Sequence, residues 1–247
     1  GAPLDKALPL LRKAEQSGLH AKGICFHVGS QSLSTAAYEE ALLLVHHLFL
    51  EAEASGMHLT DLDIGGGFPI PSAEGLHVDL AAMLEAINRQ LDRLFPHTAV
   101  WTEPGRFLCG TAMNLVTSVI GTKQRGDIPW YILDEGIYGV FSGILFDHWE
   151  YPLHCFGKGR KVPSTFAGPS CDGIDVLYRD FPAPKLPIGA KVLVSDIGAY
   201  TTVSATRFNG FEPAPVLIWE DQADLVAKSR KTSENDKASE SCLAQMP

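Results

Sequence analysis

From Leu4 to about Thr102 the apolar positions alternate between a helical and an extended rhythm. Leu8 and Leu11, with Glu15, fit a helix that Gly18 can end, and Ala21–Phe26 then reads as a strand. Ser34 is a suitable N-cap for a second helix, in which Tyr38, Ala41, Leu42, Val45, Leu48 and Phe49 share one face. Glu39, Glu40, His46 and Glu53 fall mostly on the other face, and Gly56 can close the helix. A strand over Leu59–Ile64 runs into three glycines. Asp79 caps a third helix through Leu80, Met83, Leu84, Ile87, Leu91 and Leu94, and Pro96 stops it. Thr98–Thr102 is the last strand of this series. Such alternation predicts parallel strands covered by helices.

Beyond Gly110 the helical rhythm fades. Short β-type runs at Leu115–Ile120, Trp130–Leu133, Lys191–Val194 and Pro215–Trp219, punctuated by Gly and Pro, predict a second, mostly β domain. The expected division is 1–110, 111–220, and a disordered Lys/Ser/Glu-rich tail over 221–247. A closed (β/α)8 barrel needs eight units in about 250 residues. Only three fit before the β region, so the expected fold is the last three βα units of a TIM-type barrel followed by that β domain. The expectation is then that the chain is the C-terminal part of a longer protein or borrows strands from a partner.

Composition narrows the function. The 247 residues are 45% hydrophobic and 20% charged, ordinary for a globular protein. A net charge of -9 argues against nucleic-acid or acidic-membrane partners, which need a basic face. No apolar run reaches the roughly 18 residues of a membrane span, and no signal peptide opens the chain. Cys25, Cys109, Cys155, Cys171 and Cys242 form neither a disulfide framework nor zinc spacing, which predicts a reducing, cytoplasmic setting and no metal.

The candidate chemistry sits at strand ends. Gly65-Gly66-Gly67 suits close approach of backbone N–H groups to a phosphate, or equally a tight turn. Ser30 can add a hydroxyl, although serine in such a loop is more often a turn residue. His27 can stack on a flat heteroaromatic ring, or be a satisfied core histidine. Glu103-Pro104-Gly105-Arg106 can turn both charged side chains into one pocket: a carboxylate for a pyridine nitrogen, a guanidinium for a phosphate. The plainer reading is a structural Glu–Arg pair. Cys171-Asp172 lies in a Gly/Pro-bounded loop, where a thiol can donate a proton and a carboxylate can bind an amine, or where both merely serve a turn. Asp147, after Ile144-Leu145-Phe146, can bind a cation or cap an element. Tyr200 can offer a hydroxyl to a phosphate or pack at an interface. His46-His47, Asp61 and Asp63 lack a defensible ligand context.

The order of these motifs resembles the pyridoxal-phosphate-dependent decarboxylases of barrel fold that act on basic amino acids, the ornithine/lysine decarboxylase group. The likeness runs from about Leu4 to Trp219 and includes Tyr138-Gly139-Val140-Phe141, Cys171-Asp172-Gly173-Ile174-Asp175, Gly198-Ala199-Tyr200-Thr201 and Phe208-Asn209-Gly210-Phe211. It implies that His27 stacks on the cofactor ring and Glu103 pairs with the ring nitrogen. It puts Ser30, Gly65, Gly66, Gly67, Pro104, Gly105, Arg106 and Tyr200 around the cofactor and its phosphate. Asp147 and Asp172 would bind the distal ammonium of the substrate beside Phe146, and Cys171 would protonate the α carbon. Cys171 and Asp172 would serve the neighbouring subunit's site, implying a head-to-tail homodimer. No lysine here stands in the context of the family's Schiff-base lysine, so the chain is expected to be incomplete for catalysis alone. The implied activity is decarboxylation of ornithine or lysine to a diamine, in polyamine biosynthesis. The alternatives are a non-catalytic homologue regulating a full-length partner and an amino-acid racemase.

Overall fold

A computed structural model of the chain describes residues 1–70 and 78–219. The first region contains α1 (Leu4–Gln16), β1 (Gly23–Cys25), α2 (Thr35–Ala54), β2 (Asp61–Asp63), α3 (Leu80–Leu94), β3 (Ala99–Trp101) and α4 (Gly105–Cys109). The three strands form one parallel sheet in chain order, with Cys25 opposite Asp63 and Asp63 opposite Trp101. Both caps foreseen from sequence form. Ser34 Oγ accepts from the Ala36 N–H at 3.2 Å, and Asp79 Oδ1 accepts from the Ala82 N–H at 3.0 Å.

The helical periodicity of α2 and α3 becomes one core. Tyr38, Leu42 and Val45 pack with Met83, Ile87 and Leu91 over Leu62 of the middle strand and Ile64 just after it. His46 packs edge-on against Phe95 at 5.4 Å, so it belongs to this packing rather than to a ligand set. The outer elements are less covered. No residue of α1 is buried, and Trp101 on β3 is 59% exposed.

The second region holds β4 (Leu115–Arg125), β5 (Ile128–Leu133), α5 (Gly143–Phe146), β6 (Leu153–Cys155), β7 (Val162–Ala167), β8 (Val176–Ala183) and β9 (Lys191–Val194). Its six strands run in the order β6-β9-β4-β5-β7-β8, all antiparallel except β5 beside β7. A second core of Leu115, Val119, Leu133, Phe141, Phe166, Val192 and Val194 supports them.

Two corrections follow. Strands β6, β7 and β8 were not foreseen, because β7 buries Ser164 and Thr165 instead of alternating apolar and polar residues. Ser164 Oγ is satisfied locally by the Val162 carbonyl at 2.9 Å, so its burial costs little. Conversely, the apolar run Pro215–Trp219 is no strand: Pro213 and Pro215 carry no N–H, no neighbouring strand pairs with the run, and its side chains from Val216 onward are exposed. The expected tail over 221–247 lies outside the described residues. Among the described residues no helix is long and apolar enough to cross a membrane.

The Asp79 cap is exposed and serves only the start of α3, so Asp79→Ala should lower unfolding free energy by about 1 kcal/mol. Urea denaturation checks this, and an unchanged midpoint would show that α3 starts without it.

Candidate active site

The parallel strands end side by side, and the chain leaves each through a turn. After β2 the turn is Gly65-Gly66-Gly67, with Gly65 at φ 68° and Gly67 at φ 97°. A Cβ on Gly66 would stand 2.4 Å from the Glu103 carbonyl oxygen and 3.4 Å from His27 Nε2. Only glycine fits there, and the same distances show that His27, Gly66 and Glu103 meet.

The hydrogen bonds of this turn are uneven in a telling way. Its three carbonyls are all taken: Gly65 O by the Glu103 N–H, Gly66 O by the Tyr38 hydroxyl and Gly67 O by the Ser32 N–H, each at 2.8 Å. The Gly65 N–H is also used, donating to Asp63 Oδ1 at 2.8 Å. The N–H groups of Gly66 and Gly67 take no partner among the described residues. Buried peptide donors are otherwise almost always paired. Two adjacent free donors on a turn without side chains form an anion seat.

His27 is fixed beside this seat by the Gly29 N–H, which donates to Nδ1 at 2.9 Å. That bond fixes the orientation of the ring at the strand end. On the other side, Cys25 Sγ and the carboxylates of Asp63 and Glu103 lie within 4.8 Å of one another. Burial, then Asp63 and Glu103, push the Cys25 thiol up, so it stays protonated. This cluster was not foreseen, because its members lie on three separate strand ends. Asp61 instead turns to Thr60 and Trp101 Nε1, bonds that hold its carboxyl down.

Arg106 is 6% exposed and forms an ion pair with Asp147 through Nη2. Its guanidinium lies 4.5 Å from the Trp149 ring centroid and 5.1 Å from that of Tyr200. Its Nε and Nη1 are buried without partners, so part of its donor set is unspent. Tyr200, in a left-handed conformation at φ 55°, brings its hydroxyl to 3.4 Å from where a Cβ on Gly105 would stand. Arg106, Gly105, Tyr200 and Asp147 thus form one group, joined to the glycine turn through Pro104 and Glu103. Asp147 meets a cation as the sequence suggested, but that cation is Arg106. Ser30 is exposed in the turn after β1, and Phe146 is 76% exposed.

Cys171 and Asp172 sit together on the loop between β7 and β8. Its anchor is Asp175, a residue sequence reasoning gave no role. The buried carboxylate accepts the Ile137 and Ser170 N–H groups at 3.0 Å each, and Gly136 and Gly168 leave room for it. Asn209 Oδ1 accepts the Cys171 N–H at 3.1 Å, and the Tyr138 hydroxyl donates to Asp172 at 2.5 Å. Tyr138 in turn stacks on Phe208 at 4.1 Å. No hydrogen bond or ion pair among the described residues joins this loop to the glycine turn.

A parallel α/β sheet of barrel type with unpartnered turn N–H groups, an imidazole and a carboxylate at its strand ends is the arrangement of a cofactor-binding enzyme domain. Residues 1–110 match the family model described as pyridoxal-dependent decarboxylase, pyridoxal binding domain. The lysine/ornithine decarboxylase of Selenomonas ruminantium is 74% identical over 236 residues, 96% of this chain and 60% of that protein. The structure of SrLDC in complex with PLP and cadaverine aligns with a TM-score of 0.86 at 74% identity, over 96% of this chain and 61% of that one. The lysine/ornithine decarboxylase of Vibrio vulnificus complexed with cadaverine gives 0.79 at 38% identity, over 87% of this chain and 59% of that one. The chain thus spans about 60% of the length of these relatives.

The Tyr138 bond, then the Ile174 N–H, hold the Asp172 carboxyl below its ordinary 3.8. A lowered value means that the contact stabilises the fold above that pH and is lost as pH falls through the lowered value. Tyr138→Phe should therefore raise the Asp172 value towards 3.8, as read by carboxyl carbon NMR titration. No rise would show that the tyrosine does not govern this carboxylate.

Proposed function

We propose that this chain is part of an enzyme that decarboxylates a basic amino acid, lysine or ornithine, to the corresponding diamine with pyridoxal 5'-phosphate as cofactor, the chain alone being incomplete for turnover because none of its lysines stands in the context of the Schiff-base lysine. The observation that carries this reading is the glycine turn with its carbonyls engaged and its Gly66 and Gly67 N–H groups free, flanked by His27 and Glu103. The cofactor supplies an electron sink for the electrons left when carbon dioxide departs. The turn offers donors to a phosphate, and Arg106 has unspent Nε and Nη1 for the same anion.

Within this reading the residues divide the work. Ser30, Gly65, Gly66, Gly67, Gly105, Arg106 and Tyr200 bind the phosphate end, and Pro104 sets the turn between Glu103 and Arg106. The His27 ring stacks on the cofactor ring. Glu103 keeps a proton on the pyridine nitrogen, helped by the negative field of Asp63. Asp147, with one oxygen on Arg106, has a second oxygen for the distal ammonium of the substrate, beside Phe146. Asp172, kept anionic by Tyr138, is the second carboxylate for that ammonium. Cys171 Sγ delivers a proton to the α carbon.

The assembly belongs to the proposal too. The three βα units are the last units of a TIM-type barrel, and 111–220 is a β-rich domain that follows it. Cys171 and Asp172 lie on a loop that, among the described residues, has no hydrogen bond to the glycine turn, which favours a homodimer in which each loop completes the other protomer's site. The free cysteines at 25, 109, 155 and 171 fit a cytoplasmic place, and the products would enter polyamine biosynthesis.

In an assembly that supplies the Schiff-base lysine, carboxyl-labelled lysine and ornithine with pyridoxal phosphate should each release carbon dioxide and leave cadaverine and putrescine, whereas this chain alone should release little. Cys171→Ala should cut turnover by about 100-fold, the size of a lost general acid, with the cofactor still bound. Bound cofactor without any diamine from that assembly would instead favour the non-catalytic reading.

A further inference from the structure

We infer that Tyr38, a core residue of α2, is a positioning residue that aims the free Gly67 N–H at the anion, an inference that rests on the function proposed above. The hydroxyl of Tyr38 donates to the Gly66 carbonyl at 2.8 Å, and the whole side chain is 0% exposed. The carbonyl of Gly66 and the N–H of Gly67 belong to one planar trans peptide and point from opposite edges of it. Holding the carbonyl towards the core therefore turns the Gly67 N–H away from the core. Glycine has no Cβ to fix this orientation, and Gly67 at φ 97° is free to rotate through a wide range. Without an anchor, the peptide could flip and present an acceptor oxygen to the phosphate.

Two further features fit this role. Tyr38 stacks on Phe68, the residue after the turn, with centroids 5.3 Å apart, so the hydroxyl is held by a ring that the turn itself positions. Its hydroxyl also lies 3.3 Å from where a Cβ on Gly67 would stand, so a side chain at Gly67 would crowd the anchor. Among the described residues, no other side chain bonds to the Gly66 carbonyl.

The test compares pyridoxal phosphate with unphosphorylated pyridoxal, titrated by absorbance into the intact native protein and its variants. In Tyr38→Phe, affinity for the phosphorylated form should fall about tenfold, the scale of one hydrogen bond to a charged or buried group. Affinity for pyridoxal should stay within about twofold, because the ring contacts are unchanged. Phe68→Leu removes the stacking but leaves the hydroxyl, and should lower the melting temperature while keeping the wild-type preference for the phosphorylated form. A Tyr38→Phe protein with the wild-type preference overturns the inference. Loss of cooperative melting in that variant overturns it too, because the hydroxyl would then serve the core rather than the turn. A wild-type protein that binds both forms equally defeats the function itself, a different result.

Discussion

Everything at the candidate site depends on how one glycine turn distributes its backbone hydrogen bonds. A peptide chain carries equal numbers of donors and acceptors, and a turn that spends all its acceptors on the protein can keep donors for a ligand. Here the partners come from three places: the Glu103 N–H from the next strand end, the Tyr38 hydroxyl from α2 and the Ser32 N–H from the loop after β1. The site is therefore a product of the sheet and helix packing. Moving α2 or β3 would release a carbonyl into the seat and weaken it for anions.

Charge is arranged around that seat in two separate groups. The strand-end acids Asp63 and Glu103 surround a protonated thiol, a negative environment suited to a protonated ring nitrogen. The cation, Arg106, lies on the far side of the Pro104-Gly105 turn and is buried against Trp149 and Tyr200, partly neutralised by Asp147. A buried guanidinium without a counter-charge is costly. Asp147 thus has a structural reason to be where it is, and its proposed place in substrate binding uses the oxygen that Arg106 leaves.

The first region was legible because its physics is local. Helices α2 and α3 announce themselves by apolar period and by the capping side chains of Ser34 and Asp79, and a triple glycine after a strand marks a close turn, though the residues alone leave its use open. The second region was less so. Strands β6, β7 and β8 are short or bury polar residues, and the apolar run at Pro215–Trp219 finds no partner strand. The contacts that organise the site were the least legible. Arg106 meets Asp147 across 41 positions and Tyr138 meets Asp172 across 34, and Tyr38 looked like one more core residue of its helix. Folding alone brings such pairs together, and no spacing rule reveals them.

The most direct test of the account is a crystal structure of the protein with pyridoxal phosphate. The account predicts phosphate oxygens about 3 Å from the Gly66 and Gly67 nitrogens, with the His27 ring stacked on the pyridine and Glu103 at its nitrogen. A phosphate seated away from this turn, or a Gly66 carbonyl released from Tyr38 and facing the ligand, would contradict it.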